Sequence, residues 1–402
     1  MAKTMKGKPG RWQASMESDD LIFAVCHRYF HQLGKSAQAA EGEARTRGAA
    51  AAVAEWIQAE YSRPDITREK IYPLFWEACQ RGFLLLQAPW EETLRQKLVT
   101  SYRLERHPGE ITVVNAGGDS TAQHVTSTAA DLILKLIDKV WTEKKKKFPD
   151  DPAAQAVHLG MGAGYAAMLV AKRLSQKIRS GEEVPTLVLH AISTGGFLPQ
   201  EPHKSPTTYF TFFDRSMTSI KYVALFSETV VDNADYEKLQ KNPGIRQSFE
   251  RKGEIDIIVT SLAAADHEHG LLVQYLSHLV EQEFMEPNLL ETMRKAGWIG
   301  DVQFQPYSKD GPLHNVCPVR AVTLFELEEL VELVKANNGK YVVLVAGPCG
   351  ECGATKKNAL RPLIANDNLR LWTHLVLDAR TARELLEEGE LDGVARLKLH
   401  VD

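Results

Sequence analysis

Apolar positions along this chain follow two rhythms, and the change between them falls near residue 110. Before it the spacing is helical. The segments LIFAVCHRYFHQLG (21–34), AAAAVAEWIQAEY (49–61) and ITREKIYPLFWEACQRGFLLL (66–86) each repeat apolar residues every three to four positions. Short helices joined by a tight turn such as SRPD make a helix-turn-helix skeleton. Beyond Glu110 short apolar runs alternate with amphipathic stretches. The runs are ITVVNAGG, AVHLG, TLVLHAIS, KYVALF, IDIIVTSL, KYVVLVAG and WTHLVLD. Between them lie helical patterns, among them one whose Val125, Ala129, Leu132, Leu136 and Val140 share a face, and GYAAMLVAKRLSQKI, LFELEELVELVKANN and KKNALRPLIAN. Continuous apolar strands between amphipathic helices predict a doubly wound, mostly parallel α/β sheet covered on both faces. The expected division is a polar leader over 1–20, a helix-turn-helix-like domain over 21–105 and an α/β effector-binding domain over 110–400.

Composition adds limits rather than detail. A chain of 402 residues with 44% hydrophobic and 25% charged residues has the make-up of a folded globular protein of more than one domain. Its formal net charge of −4 argues against a surface that grips nucleic acid everywhere, so any DNA contact must be local. Five cysteines, no apolar secretory segment and no run of about 18 apolar residues predict free thiols, a cytoplasmic location and no membrane role.

In a doubly wound sheet, ligands collect beyond the carboxyl ends of the strands, where glycines let backbone N–H groups approach an anion and helix N-termini favour negative charge. The leading candidate is GMGAGYAAMLVAKRL. There Gly160, Gly162, Ala163, Gly164 and Tyr165 form a strand-to-helix loop in which the glycines permit a sharp turn and the N–H groups of Gly162 to Tyr165 are expected to face outward. Its spacing is neither a dinucleotide fingerprint nor a P-loop. A tight connection with no ligand is the plain alternative. STGG, with Gly195 and Gly196, and NAGGDST follow two other strands. Lys356 could reach a phosphate from the start of a helix, and Asp301 could accept hydrogen bonds from sugar hydroxyls; a solvated lysine and a turn carboxylate are the simpler readings.

The ordered series GMGAGYAAMLVAKRL, NPGIRQSFERKGEIDIIVTSL, AGWIGDVQFQPYSKDG and the last βαβ unit, VVLVAGPCGECGATKKNALRPLIANDNLRLWTHLVLDARTARELL, resembles the effector domain of SorC-type bacterial transcriptional regulators. That family includes the central glycolytic gene regulator and the deoxyribonucleoside regulator. The resemblance covers roughly residues 110 to 390. It implies a sugar-phosphate isomerase-like sensor preceded by a winged helix-turn-helix. In that reading Thr67 and Arg68 open the recognition helix, Lys70 and Tyr72 continue its DNA face, and Gly82 begins the turn into the wing.

Two positions depart from the family pattern. Pro73 lies inside the would-be recognition helix, which is therefore expected to begin at Tyr72 or to kink, and Tyr72, Leu74, Phe75 and Trp76 leave an apolar surface for a groove reader. Gly164 stands where the family commonly carries a phosphate-binding threonine. Residues 35–49 read as an insertion of no assigned role.

Other features have ordinary readings. His314, Cys317, Cys349 and Cys352 have the spacing of a zinc set, against two free thiols in a glycine turn or a redox pair. Asp266 to His269 read as a polar loop, Lys144 to Lys147 as a solvated helix end, and Thr381 with Glu384 as a capping box.

The resulting expectation is a metabolite-responsive transcriptional regulator with no cofactor. It would bind a sugar or sugar phosphate in its C-terminal domain and DNA through its N-terminal one, as a homo-oligomer, dimer or tetramer. The rivals are a sensor whose helix-turn-helix serves protein interaction, and a sugar-phosphate isomerase or deaminase-like enzyme. No Ser-His-Asp, Cys-His or paired-carboxylate arrangement at interpretable spacing supports the enzyme.

Overall fold

The computed structural model describes residues 17–38, 48–81, 83–84, 87–118, 120–179, 185–195, 201–213, 220–314 and 316–387. Most of the expected leader, residues 39–47 of the insertion, and both Gly82 and Gly196 lie outside them. The chain divides into two compact units, Met1–Leu86 and Gln87–Asp402.

The first unit contains α1 (Asp19–Gln38), α2 (Ala49–Glu60) and α3 (Arg68–Arg81). Its core is the apolar stripe read from the sequence: Leu21, Ile22 and Val25 from α1, Val53 and Ile57 from α2, and Ile71, Leu74 and Ala78 from α3. The first helix begins inside the stretch expected to be leader. No strand occurs among the described residues of this unit, and the turn expected at Gly82 lies outside them. The third helix does not start at Tyr72; it runs from Arg68 through the proline. Pro73 is exposed and removes only the bond to the carbonyl of Glu69, while Ile71, Leu74 and Ala78 anchor the helix on either side.

The second unit opens with α4 (Glu92–Ser101), which packs on β1 (Glu110–Val114) and buries Leu98 in the α/β core. The stretch 87–105 thus lies in this unit rather than with the helices before it. There follow α5 (Thr121–Lys147), β2 (Val157–Met161), α6 (Tyr165–Arg179), β3 (Leu187–Ala191), α7 (Pro206–Tyr209), β4 (Ile220–Val223), β5 (Val230–Asp232), α8 (Asn233–Gln240) and α9 (Pro243–Glu250). The chain continues through β6 (Ile257–Ala264), α10 (Leu271–Glu281), α11 (Leu289–Lys295), β7 (Gly300–Val302), β8 (Gln305–Tyr307), β9 (Val319–Ala321), α12 (Leu327–Ala336), β10 (Tyr341–Ala346), α13 (Lys357–Ala365) and β11 (His374–Asp378).

The main sheet has the order β1-β11-β10-β6-β2-β3-β4, with every neighbouring pair parallel. All seven strands are those the apolar runs predict. The hairpin β7–β8 extends it, with β7 antiparallel to the end of β6. From β2 the chain winds one way through β3 and β4, and from β6 the other way through β10 and β11. The direction of winding therefore reverses between β2 and β6, and the crevice beyond their carboxyl ends is where such a sheet can receive a ligand. The long helix α5 carries the chain from the edge strand to β2 and packs against α6, β10 and β11. A second apolar cluster, which includes Leu272, Leu276, Met293, Trp298 and Phe304, lies under α10, α11 and the hairpin.

Candidate functional site

A pocket opens at the carboxyl ends of β2 and β6, at the point where the winding reverses. Ala163, Gly164, Tyr165 and Ala166 line it from the β2–α6 turn, Ser261 to Ala264 from the end of β6, and His267, His269, Gly270 and Leu271 from the following loop. Asp301, Gln303 and Phe304 come from the β7–β8 hairpin, and Gly347 to Glu351 with Lys356 from the loop after β10. The starts of α6, α10 and α13 all reach this lining. The first turn of α5 reaches it too, through Ala122. The first N–H groups of a helix have no carbonyl within the helix to bond, so these helix starts bring positive dipole ends to the crevice.

The glycine loop works differently from its sequence reading. The N–H of Gly162 donates to Val259 O at 2.9 Å, that of Ala163 to Ser193 Oγ at 3.1 Å and that of Gly164 to Lys204 O at 2.9 Å. These donors are spent on the protein. Of the four expected donors that leaves Tyr165, followed by the first turn of α6. Gly160 lies in β2, where a Cβ would come 2.8 Å from the Ile192 side chain, so it is a packing glycine outside the pocket lining. Gly195, at φ +55°, would put a Cβ 2.4 Å from that of Ala163, and so makes room for the loop instead of touching the pocket. Gly164 has φ +113°, which a side chain rarely adopts. The family threonine is therefore incompatible with this backbone. Its neighbour Tyr165 lies with its ring against Gly350, where a Cβ would meet ring carbons at 2.4 and 2.7 Å.

Asp301 and Lys356, some fifty residues apart in sequence, meet in this pocket. Asp301 is buried, and its Oδ2 has no hydrogen-bond partner. Burial pushes its carboxyl up to about 7, against the opposing pull of the Lys356 ammonium and the Phe304 N–H. Lys356 donates from Nζ to Leu262 O at 2.9 Å, and burial holds its ammonium below the ordinary lysine value. The carboxyl is placed by two unusual residues: Gln303 and Phe304, at φ +52° and +63°, make the left-handed two-residue turn of the hairpin. Gln303 accepts at Oε1 from Thr323 Oγ1 at 2.6 Å, and its Nε2 donor is buried without a partner.

Several lining residues were not singled out from the sequence. His267 and His269 belong to a stretch read only as a polar loop; its position after the β6 strand is the signal that could have found them. Lys204 is buried and paired with Glu201 at 2.5 Å. Nothing in its local sequence marks it. Among the described residues, the NAGGDST loop contributes through the helix it introduces, by Ala122 and Thr126.

The cysteine–histidine set does not assemble. His314 bonds Glu328 at 2.8 Å, and Cys317 is buried among apolar side chains that push its thiol up to about 11. Cys349 faces the pocket and Cys352 is exposed; both are free. Among the described residues, the group of three or more His, Cys, Asp or Glu side chains that converges within metal-binding reach is His158, His190 and Glu254. Thr381 and Glu384 do not form a reciprocal cap either: Asp378 accepts from both the N–H and the hydroxyl of Thr381, at 2.9 and 2.6 Å, while Glu384 bonds Thr355 and Arg380. Lys144 is more than a solvated helix end, for it bonds Asp256 at 2.6 Å.

The four residues expected to face DNA, Thr67, Arg68, Lys70 and Tyr72, are all exposed at the start of α3. Leu74 faces the core and Phe75 packs against it, which leaves Tyr72 and Trp76 as the exposed apolar groups there. Lys70 lies 3.5 Å from Asp65, whose carboxyl is held below the usual range chiefly by the hydrogen bond from Arg63.

A helical unit followed by a doubly wound sheet is a fold this chain shares with solved structures of bacterial transcriptional regulators. In particular, the chain superposes on the full-length sorbitol operon regulator SorC from Klebsiella pneumoniae with a TM-score of 0.55 at 15% identity, over 92% of this chain and 100% of that one. A probable sor operon regulator from Shigella flexneri gives 0.52 at 14% identity, over 73% and 98% of the two chains. A transcriptional regulator from Streptococcus pneumoniae TIGR4 gives 0.51 at 15% identity, over 74% and 96%. No family model matches the sequence, and no curated protein matches it. At such identities the likeness is one of fold.

Proposed function

We propose that this protein is a metabolite-responsive transcriptional regulator. Its α/β unit would bind a sugar or sugar phosphate between the ends of β2 and β6, and its helical unit would bind DNA. The observation that carries the reading is the pairing of Asp301, whose Oδ2 is buried without a partner, with Lys356 in a pocket that the starts of α6, α10 and α13 line. An anionic group is received by the dipole ends of α6, α10 and α13 and by Lys356, while Asp301, Gln303 and the two histidines of the β6 loop supply hydrogen bonds to hydroxyls. Structures of the same fold are titled as operon and transcriptional regulators, which supports a sensor over an enzyme. For the effector to act, it must bind the DNA-competent and DNA-incompetent states with different affinity.

Isothermal titration of the full chain against a panel of free and phosphorylated pentoses and hexoses tests the sensor. A sugar or its phosphate is expected to bind wild-type protein and to lose at least tenfold in affinity in Lys356→Ala; no binding across the panel refutes the reading. Salt-dependent retardation of DNA flanking the protein's own gene tests the output.

A further inference from the structure

We propose that His158, His190 and Glu254 form a binding site for a divalent transition metal, Zn²⁺, at the base of the sheet and away from the effector pocket. His158 is the second residue of β2 and His190 the fourth of β3. In the parallel register His158 stands opposite Val188, and Gly160 opposite His190, so both imidazoles leave the same face of the sheet two residues apart. The residue directly across from His190 has no side chain to separate the rings. His158 Nδ1 lies 2.9 Å from His190 Nε2 and 3.4 Å from Glu254 Oε2, and the three atoms fall within 4.8 Å of one another. Two ligand atoms on one tetrahedral zinc, each at about 2.0–2.2 Å, are separated by roughly 3.3 Å. The triangle is thus already near the size of a zinc-binding face.

The protonation chemistry suits a metal. His190 is wholly buried, and its Nδ1 has no partner. With two neutral rings, one proton lies between the facing nitrogens; zinc held by His158 Nδ1 and His190 Nε2 would move each ring's proton to its far nitrogen, His158 Nε2 and His190 Nδ1. Burial keeps the imidazoles neutral, holding His190 down at about 3 and lowering His158, so both retain lone pairs at neutral pH. Glu254 stays ionised because Arg251 donates to it from Nε at 3.0 Å and from Nη2 at 2.8 Å. Such a partner also fixes the orientation of a ligating carboxylate. Two imidazoles and a carboxylate are donors that zinc accepts readily. The Glu254 side chain is 43% exposed, which leaves an opening for the ion and a position for solvent as fourth ligand.

The nearby Asp256 is not needed as a ligand. Its Oδ2 accepts the His158 N–H at 2.8 Å and the Lys144 ammonium at 2.6 Å. A zinc ion here would tie β2 and β3 to the 3₁₀ turn Lys252–Glu254 that leads into β6, fastening three adjacent strands of the sheet. Its contribution would be to stability.

The test is titration of ZnCl₂ into chelator-stripped full-length protein, with metal content after dialysis and Tm as parallel readouts. One zinc per chain is expected, with a rise in Tm. Glu254→Gln, a change on a partly exposed turn that should leave the fold intact, is expected to weaken binding by roughly 10- to 100-fold, the range found even for loss of partners that only orient ligands. His158→Gln should abolish it. Substituted Co²⁺ should show visible bands without near-ultraviolet thiolate charge transfer. No stoichiometric binding overturns the proposal. So does binding that survives in Glu254→Gln yet disappears in Cys349→Ser/Cys352→Ser, since the metal would then sit on the thiols.

Discussion

Asp301 is a carboxyl whose burial is opposed to the stability of the fold. In the unfolded chain it releases its proton near pH 3.8, in the native protein only at about 7. Between those values the unfolded state loses a proton that the native state keeps, so this group makes stability fall as pH rises from about 4 to about 7 and leaves it flat above. Asp301→Asn removes the titration. Its Tm relative to wild type is expected to climb from pH 4 to pH 8, while the Tm rise caused by a bound sugar shrinks; scanning calorimetry at both pH values, with and without effector, checks both. Two glycines near the site should fail for different reasons. Gly164 has room for a Cβ, with Ser261 Oγ 3.6 Å away, but its φ of +113° makes any side chain strained, by about 1–3 kcal/mol. Gly300 has no room, since a Cβ would lie 2.7 Å from Ala263 O, Ala359 Cβ and Tyr307 Oη, and Gly300→Ala is expected to cost roughly 1–3 kcal/mol by overpacking. Urea denaturation of Gly164→Ala and Gly300→Ala measures the two penalties.

At the scale of elements, α3 combines a buried apolar stripe with an exposed N-terminus carrying Arg68 and Lys70. If that end contacts phosphates, Arg68→Ala and Lys70→Ala should each weaken DNA binding at all sequences and reduce the salt slope by about 1, whereas Trp76→Ala should do neither; fluorescence anisotropy at several salt concentrations distinguishes them. What the sequence made legible here follows from the length of each signal. Seven parallel strands were readable because each is a mostly apolar run of four to eight residues, largely buried on both faces away from the edges of a covered sheet. The three-residue strands β5, β7, β8 and β9 have no period to detect. The same limit hid half of the pocket. Asp301 and Lys356 were found because each sits beside a strand end or a glycine, but Lys204, His267 and His269 are pocket residues only through tertiary placement. The glycine loop forms the β2–α6 turn and lines the pocket, but three of its four expected donors are spent, because sequence cannot show that Val259, Ser193 and Lys204 already accept the N–H groups of Gly162, Ala163 and Gly164. Pro73 suggests a helix that begins at Tyr72 or kinks; the helix instead begins at Arg68, and the packing of Ile71, Leu74 and Ala78 outweighs one missing hydrogen bond.

At the scale of the molecule the two units have separate apolar cores, the helical one built from Leu21 to Ala78 and the α/β one from Leu98 onward. A fragment of residues 87–402 is therefore expected to fold and to bind the effector with the affinity of the full chain, while losing retention on DNA; calorimetric titration of the fragment beside the full chain decides this. Within that larger unit, one element joins places that the sheet otherwise keeps apart. Helix α5, with 27 residues, is about 40 Å long. Its first turns put Ala122 and Thr126 in the wall of the pocket, and its last turn sends Lys144 to Asp256, whose carboxylate also holds the backbone of His158. Such a helix acts as a tie-rod pinned at its far end. A ligand that displaces Ala122 along the rod loads the Lys144–Asp256 pin, so filling the pocket is expected to be felt at the opposite, amino-terminal end of β2, where hydrogen exchange at His158 would register it.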